Sequence, residues 1–549
     1  MNTDRRNRSI YSVVEKINSS NADNHLENSD VFRQDFTSYS VSDKRFESVI
    51  TTVWDKDNVG GIPVDYSISN DKLYVDSSDS HTLILGATGS KKTRLAVMPM
   101  VRNLADAGES MIICDPKAEI YNRTSGYLHK KGYKIHALNF RDPSVGDGWN
   151  MFSVPYKNYL DGNIDKAAEQ INDIAVTLMP VFFKDPYWDY SARDVFVGLT
   201  LMSFYIGKKN RMATEMINMG FVLEIRMNMF KTSDKYSIMN SQFWKVAERD
   251  NLIKSKLIGT VSCPEKTMSC ILSSFDSHVS CFLMKPALIN MLSKTTIGFE
   301  AIGEKSTAIY IILPDEKTTL HKICSVFVKQ IYELLIDYCF FAYKDGRYKK
   351  RINFILDEFS SLPVIEDFPQ MISASRSRNI RFTLVSQSKG QIVQRYQEEA
   401  DTIQSNCTNW LFFFTREVDL LKEISSLAGY INNNELIPIH RLQHLNKEKG
   451  ECLVFSGRHY PYFAHLADIS QFDNDDYSEY PFLHRKDNNK AVNLDELLKK
   501  CLNDSLSKSN SIDGKFNEKG RIDTDSFDDI QKELERKFDE LFGNNTEDN

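Results

Sequence analysis

At 549 residues, with 41% hydrophobic and 26% charged side chains, the chain is too long for a single hydrophobic core and should divide into two or three domains. A net charge of −7 excludes a protein that coats nucleic acid over its whole surface, so any such contact is confined to a local patch or to a channel made by assembly. Nine cysteines without paired metal-ligand spacing suit free thiols in a reducing cytosol rather than a disulfide scaffold or a zinc site.

Residues 1–45, rich in Asn, Ser and Asp, are expected to be disordered, with a short helix near Ile10–Ile17. Met1–Asp30 has no apolar core of a signal peptide. A first α/β stretch is expected over 46–156. It holds a weak strand at Val49–Val53, a Gly60-Gly61 turn, and strand-like runs at Leu83–Leu85, Ser110–Cys114 and Lys134–Leu138 separated by helical segments. That alternation implies a mostly parallel sheet with crossover helices, whose ligands sit at the carboxyl ends of the strands. Over 157–292 strand signals vanish, while Ile171, Ile174, Ala175, Leu178 and Met179, and again Val195, Leu199, Met202 and Ile206, follow helical spacing. An all-α insertion is expected there. The longest apolar run, Val195–Gly207, is shorter than the roughly 20 residues that span a bilayer and reads as a buried core helix.

The α/β pattern resumes over 293–472. Ala308–Leu313 reads as a strand and Lys322–Tyr343 as a long amphipathic helix, followed by the basic turn Arg347–Arg351. Further strands are expected at Ile352–Leu356, Arg381–Val385, Asn409–Phe414 and Gly450–Phe455. Residues 473–549 read as an acidic linker, most plainly at 512–524, ending in an amphipathic helix with Phe527, Ile530, Leu534, Phe538 and Leu541 on one stripe.

The chemistry is concentrated at three strand ends. Gly86-Ala87-Thr88-Gly89-Ser90-Lys91-Lys92-Thr93 follows a buried strand and opens a helix, the layout of a phosphate-binding loop. Small residues there let backbone N–H groups converge on phosphate oxygens, and the helix N-terminus adds its positive end. Lys92 stands at the phosphate-binding position and Thr93 at the Mg²⁺-binding position. Downstream, the strand Ile352–Leu356 ends in Asp357-Glu358: Asp357 is placed to hold Mg²⁺ through water, and Glu358 to act as general base on the attacking water. Gln387, at the next strand end, suits a γ-phosphate sensor. Between these strands, Arg376, and after it Arg378, are candidates for an arginine finger reaching a neighbouring subunit's site. ATP and Mg²⁺ are the expected cofactors.

Together with Asp115-Pro116-Lys117, Asn139-Phe140-Arg141-Asp142-Pro143, Trp149-Asn150, Leu356-Asp357-Glu358-Phe359, Ser386-Gln387-Ser388, Asn406-Cys407 and Leu436-Ile437-Pro438, these motifs occur in an order that resembles the type IV coupling proteins, the TraG-type DNA-transfer ATPases of conjugative elements. The likeness covers about residues 75–472 and extends to forms from low-GC Gram-positive bacteria. It implies a RecA-like P-loop NTPase domain interrupted by an all-α domain, and assembly as a homohexamer. It also implies a relaxase bound to single-stranded DNA as cargo, and the type IV secretion channel as recipient. Asp115 and Lys117 fall in a motif beside the nucleotide.

Three departures qualify the resemblance. Family members begin with transmembrane helices, and this sequence shows none, so a cytoplasmic chain held at the inner face of the cell membrane through a partner protein is expected. Ala118 stands where the family has glycine. Lys91 replaces the last glycine of the phosphate loop, a position expected at positive φ, where a Cβ costs about 1–2 kcal/mol. Weakened nucleotide binding follows. Two rivals to the ATP-driven motor remain: a docking platform of the same family that binds nucleotide poorly, and a ring translocase on duplex DNA. Intact Asp357, Glu358 and Gln387 speak against full decay of the site.

Overall fold

The computed structural model describes residues 50–52, 59–67, 72–181, 185–299, 302–431, 434–457, 461–472, 479–485 and 493–503. The expected disorder over 1–45 with its short helix, the linker at 512–524 and the stripe from Phe527 to Leu541 lie outside these residues.

Strands β1 (Ile50–Thr52), β2 (Ile62–Ser67) and β3 (Lys72–Asp76) form a small antiparallel sheet in the order β1-β3-β2. The main sheet takes β4 (Thr82–Leu85), β5 (Ser110–Asp115), β6 (Lys134–Asn139), β7 (Thr307–Ile312), β8 (Ile352–Leu356), β9 (Ile380–Ser386) and β10 (Asn409–Phe412). After the two-residue strands β11 (Tyr430–Ile431) and β12 (Asn434–Glu435) come β13 (Glu451–Ser456) and β14 (Tyr462–His465), which complete it. Its order is β14-β13-β10-β4-β9-β8-β5-β7-β6. Strands β10 to β6 are parallel, with Leu83 in register with Leu384 and Trp410. β13 adds antiparallel to β10, and β14 antiparallel to β13, the connection between the last two being too short for a crossover helix.

Strands β4, β5, β7, β8 and β9 are buried along their whole length, which is why they read as largely apolar runs, with Asn353 and Arg381 as buried polar exceptions. Alternate residues feed two cores. Ile84, Met111, Ile113, Ile355 and Val385 pack with the helices Met98–Asp106 and Glu119–Lys130. Leu83, Leu85, Ile112, Phe354, Leu356 and Phe382 join the core of the long helix His321–Ala342 and of the helical region.

That region runs from the helix Ser153–Leu160 to the helix Pro286–Met291, with no strand among the described residues between β6 and β7. Its centre is Tyr187–Asn210, packed against Ile164–Leu178, Asn251–Ser262 and Glu265–Leu283. Buried Asp189 meets His278 at 2.8 Å inside it. Trp149-Asn150 joins sheet and helices: Trp149 sits edge-on against Phe327, and the Asn150 amide donates to the carbonyls of Thr214 and Ile217.

Beyond Phe472 the described residues fold back. Phe482 stacks on Tyr121 at 4.7 Å, and the helix Leu494–Asn503 buries Leu494, Leu498 and Cys501 against Tyr187–Asn210. The polar composition of that stretch masks a helical apolar stripe. None of the described helices is long and apolar enough to cross a membrane.

Candidate active site

The carboxyl ends of β4, β5, β8 and β9 surround a cavity of about 220 Å³. Thr88, Gly89, Lys91, Lys92 and Thr93 line one side; Asp357, Glu358, Ser386 and Gln387 line the other, with Lys117 and Glu119 at the end of β5. Sequence positions more than 260 residues apart therefore share one space.

The phosphate loop is built on backbone conformations that small residues favour. Its Ala87 N–H donates to the Phe414 carbonyl at 2.9 Å, and Ser90 N–H to the Ala87 carbonyl at 3.2 Å. A Cβ on Gly86 would lie 2.7 Å from the Phe413 Cβ, so only glycine fits that close approach. Gly89 adopts φ +76° and Lys91 φ +65°. The serious departure thus falls where a left-handed backbone is required, and the Lys91 ammonium is ion-paired with Glu448. After Lys92 the helix opens with a π-type turn, Thr93–Val97, a distortion often found at functional sites. The Ser90 hydroxyl is buried without a partner.

Lys92 Nζ donates to the loop's own carbonyls, 2.5 Å to Gly86 and 3.2 Å to Ala87. Burial lowers its pKa to about 8 against the opposing pull of Asp357 and Glu358. The Thr93 hydroxyl donates to Asp357 Oδ2 at 3.1 Å. Burial, reinforced by the Glu358 charge, raises the Asp357 carboxyl to about 6, while the bond from Thr93 and the charge of Lys92 hold it down. Glu358 is itself left-handed, φ +52°, and pairs with Lys117 Nζ at 3.3 Å. Gln387 Oε1 accepts from the Thr88 hydroxyl at 3.0 Å, which joins the strand end of β9 to the phosphate loop. Asp115 is buried, takes the Tyr121 N–H at 2.7 Å, and is raised to about 7 by burial.

These residues fit a metal-bound nucleoside triphosphate. A lysine rests provisionally on carbonyls, a hydroxyl–carboxylate pair of the type that shares a divalent cation stands beside it, and a buried hydroxyl lacks a partner. Arg376 is not part of this cavity. It lies beyond the amino end of β9, paired with Asp79 at 3.1 Å, and Arg378 donates to the Ala374 carbonyl.

Sequence reasoning missed the turn before β13. Lys447 Nζ donates to the Gly89 carbonyl at 3.3 Å and Glu448 takes Lys91, while Arg94 makes a two-pronged contact with Asp468 beyond β14. Two charged residues in a lysine-rich turn carry no sequence signal that separates them from an ordinary solvated loop.

A second cavity, of about 450 Å³, adjoins the first and shares Glu358 and Gln387; Ser360, Gln391 and Arg395 also line it.

The family model described as type IV secretory system conjugative DNA transfer matches residues 32–434. A conjugal transfer protein TraG of Escherichia coli is 24% identical over 375 residues, covering 64% of this chain and 55% of that protein. A TraG of Agrobacterium fabrum is 20% identical over 357 residues, covering 64% and 51%. The chain thus spans about half the length of the curated relatives it matches. Among solved structures, unbound bacterial conjugative coupling protein TrwBdeltaN70 shares the fold with a TM-score of 0.50 at 15% identity, covering 76% of this chain and 89% of that one. Plasmid coupling protein TrwB in complex with the ATP analogue ADPNP does so with a TM-score of 0.51 at 14% identity, covering 74% and 89%. The RecA-like fold, mostly parallel with flanking helices, agrees with that likeness, and because the family model spans well over half of its length, the chain belongs to the type IV secretory system conjugative DNA transfer family.

Proposed function

We propose that this chain is the ATP-driven coupling protein of a conjugative type IV secretion system, which takes relaxase-bound single-stranded DNA to the secretion channel. The observation that carries the reading is the composite cavity, in which Lys92 and Thr93 face Asp357, Glu358 and Gln387. TrwB, whose fold this chain shares, has been solved with an ATP analogue, which supports ATP as the ligand.

In this reading Lys92 exchanges the Gly86 and Ala87 carbonyls for phosphate oxygens, whose negative charge holds it protonated. Thr93 and Asp357 would hold Mg²⁺. Bound Mg²⁺ would neutralise charge on the phosphate oxygens as it develops. Glu358, paired with Lys117, takes the proton of the attacking water. Gln387, tied to Thr88, orients that water. Arg376 serves a neighbour's site across the interface of a homohexamer, since its place beyond the amino end of β9 keeps it away from its own. The chain works as a peripheral protein at the inner face of the cell membrane.

The test is ATP turnover with and without single-stranded DNA for the wild type, Lys92→Ala and Glu358→Gln. Turnover stimulated by single strands is expected. Lys92→Ala should lose nucleotide binding, and Glu358→Gln should bind nucleotide yet turn over about 10²–10⁴-fold more slowly. An equal background rate in all three would replace the motor with a docking platform, the reading that the left-handed Lys91 favours. Stimulation by duplex DNA alone would point to the duplex translocase.

A further inference from the structure

The phosphate loop carries a lysine at a position that demands a left-handed backbone, in a cavity whose far wall is acidic. Lys91 lines the same space as Asp357 and Glu358. A mobile ammonium there would settle on those carboxylates, fill the cavity and compete with the cation. In the structure it does none of these, because it is drawn to Glu448.

Glu448 sits on a built element. The turn Lys447–Lys449 is capped by the Asn446 side chain, which accepts from Glu448 N–H at 2.9 Å and Lys449 N–H at 3.2 Å. Asn446 N–H donates to Glu451 at 2.9 Å, and Glu451 also faces Arg441 at 3.5 Å. Gly450, at φ +68°, lies so close to β14 that a Cβ would fall 2.0 Å from the Leu466 carbonyl, while its own carbonyl accepts the Leu466 N–H at 2.9 Å. The turn is therefore fixed to the β13–β14 edge, and it reaches the phosphate loop twice, Lys447 on the Gly89 carbonyl and Glu448 on Lys91. Both contacts land on left-handed residues of that loop.

We propose that the turn Asn446–Gly450 is a positioning clamp for the phosphate loop: Lys447 braces Gly89, and Glu448 holds the Lys91 side chain at the rim, leaving the cavity open to a triphosphate. The clamp lets a lysine occupy a glycine position without closing the site. It rests on the nucleotide-binding reading for its purpose, while its geometry is made of contacts within the chain itself. Neither Lys447 nor Glu448 touches the reacting atoms; both act through the loop.

Two measurements on the full chain test this. The first is binding of ATP in the presence of Mg²⁺ around a double-mutant cycle of Glu448→Gln and Lys91→Gly. Glu448→Gln alone should weaken binding by about two- to fivefold, the range of an exposed ion pair, and should have no further effect in the Lys91→Gly background. Tighter binding by Glu448→Gln would make Glu448 a competitor for Lys91 and overturn the clamp, as would equal effects in both backgrounds. The second is amide hydrogen exchange across residues 88–95 without nucleotide, for the wild type, Glu448→Gln and Lys447→Met. Faster exchange in both variants supports the clamp even if the wild type binds no ATP, in which case only the nucleotide reading fails; unchanged exchange overturns the clamp whatever the ATP result.

Discussion

At the amino ends of the parallel strands the buried polar groups hold mostly to one another, whereas at the carboxyl ends they rest on partners they can exchange. On the amino side Glu109 accepts from the Asn353 amide at 2.8 Å and faces Arg351 and Arg381, each at 3.8 Å, and Arg381 Nε donates to Asn353 at 3.0 Å. Asp76 takes the Asn409 amide at 2.6 Å and the Ser456 hydroxyl at 3.0 Å. On the carboxyl side Lys92 sits on carbonyls, Glu358 on half-exposed Lys117, and three non-glycine residues, Lys91, Ala118 and Glu358, are left-handed. The same strands thus carry a settled end that fixes their register and a strained, lightly partnered end that leaves room for a ligand.

The largest loss is expected at Arg381, which is almost wholly buried and whose pKa burial lowers to about 10. Arg381→Met leaves Glu109 and Asn353 short of a partner and should cost about 3–5 kcal/mol in urea unfolding. Lys117→Met, at the other end, removes a partly exposed pair and should cost less than about 1 kcal/mol. Equal losses would erase the distinction between the two ends.

A smaller effect is expected from His81, also on the amino side. Its Nε2 donates to the Ile372 carbonyl at 2.8 Å, and its Nδ1 accepts from Phe382 N–H at 3.0 Å, so the neutral ring satisfies both. Burial lowers its pKa from 6.5 to about 4, assisted by the Arg376 and Arg381 charges and opposed by the Ile372 carbonyl and by Asp79. The unfolded chain binds the proton first. Stability is therefore full above pH 6.5 and falls as the pH drops towards 4, by up to about 3 kcal/mol. His81→Asn should lower stability at neutral pH and flatten that slope; an unchanged slope would place the acid sensitivity elsewhere.

How far the sequence discloses these two ends follows from what each end is made of. Strands β4, β5, β7, β8 and β9 are legible because burial on both faces leaves largely apolar runs, and Asp357, Glu358 and Gln387 are legible as candidates because the expected chemistry fixes residue types at strand ends. The hairpin of β2 and β3, the edge strand β14, and the helix Leu494–Asn503 are not, since short or polar segments owe their conformation to what they pack against. The grip of Lys447 and Glu448 on the phosphate loop is least legible, because it joins generic charges across more than 350 residues. Arg376 shows a different limit: the finger role expected of it would lie across a subunit interface, and within its own chain the residue pairs with Asp79.

The finest test lies within the carboxyl end and asks how its strain is carried. Ala118, at φ +57°, heads the helix Glu119–Lys130 with a bare methyl, whereas Lys91, at φ +65°, has a side chain held by Glu448. Ala118→Gly removes the left-handed penalty and gives up only a partly buried methyl, so it should stabilise the chain by up to about 1 kcal/mol. Lys91→Gly removes the same penalty but forfeits the ion pair and frees Glu448, so its gain should be smaller, about 0.5 kcal/mol or less. Thermal unfolding of the two variants without nucleotide measures the difference. If Lys91→Gly stabilises as much as Ala118→Gly, the pair with Glu448 contributes nothing to the fold, and any role it has is confined to keeping the cavity open; if less, the pair offsets part of the strain that the lysine brings.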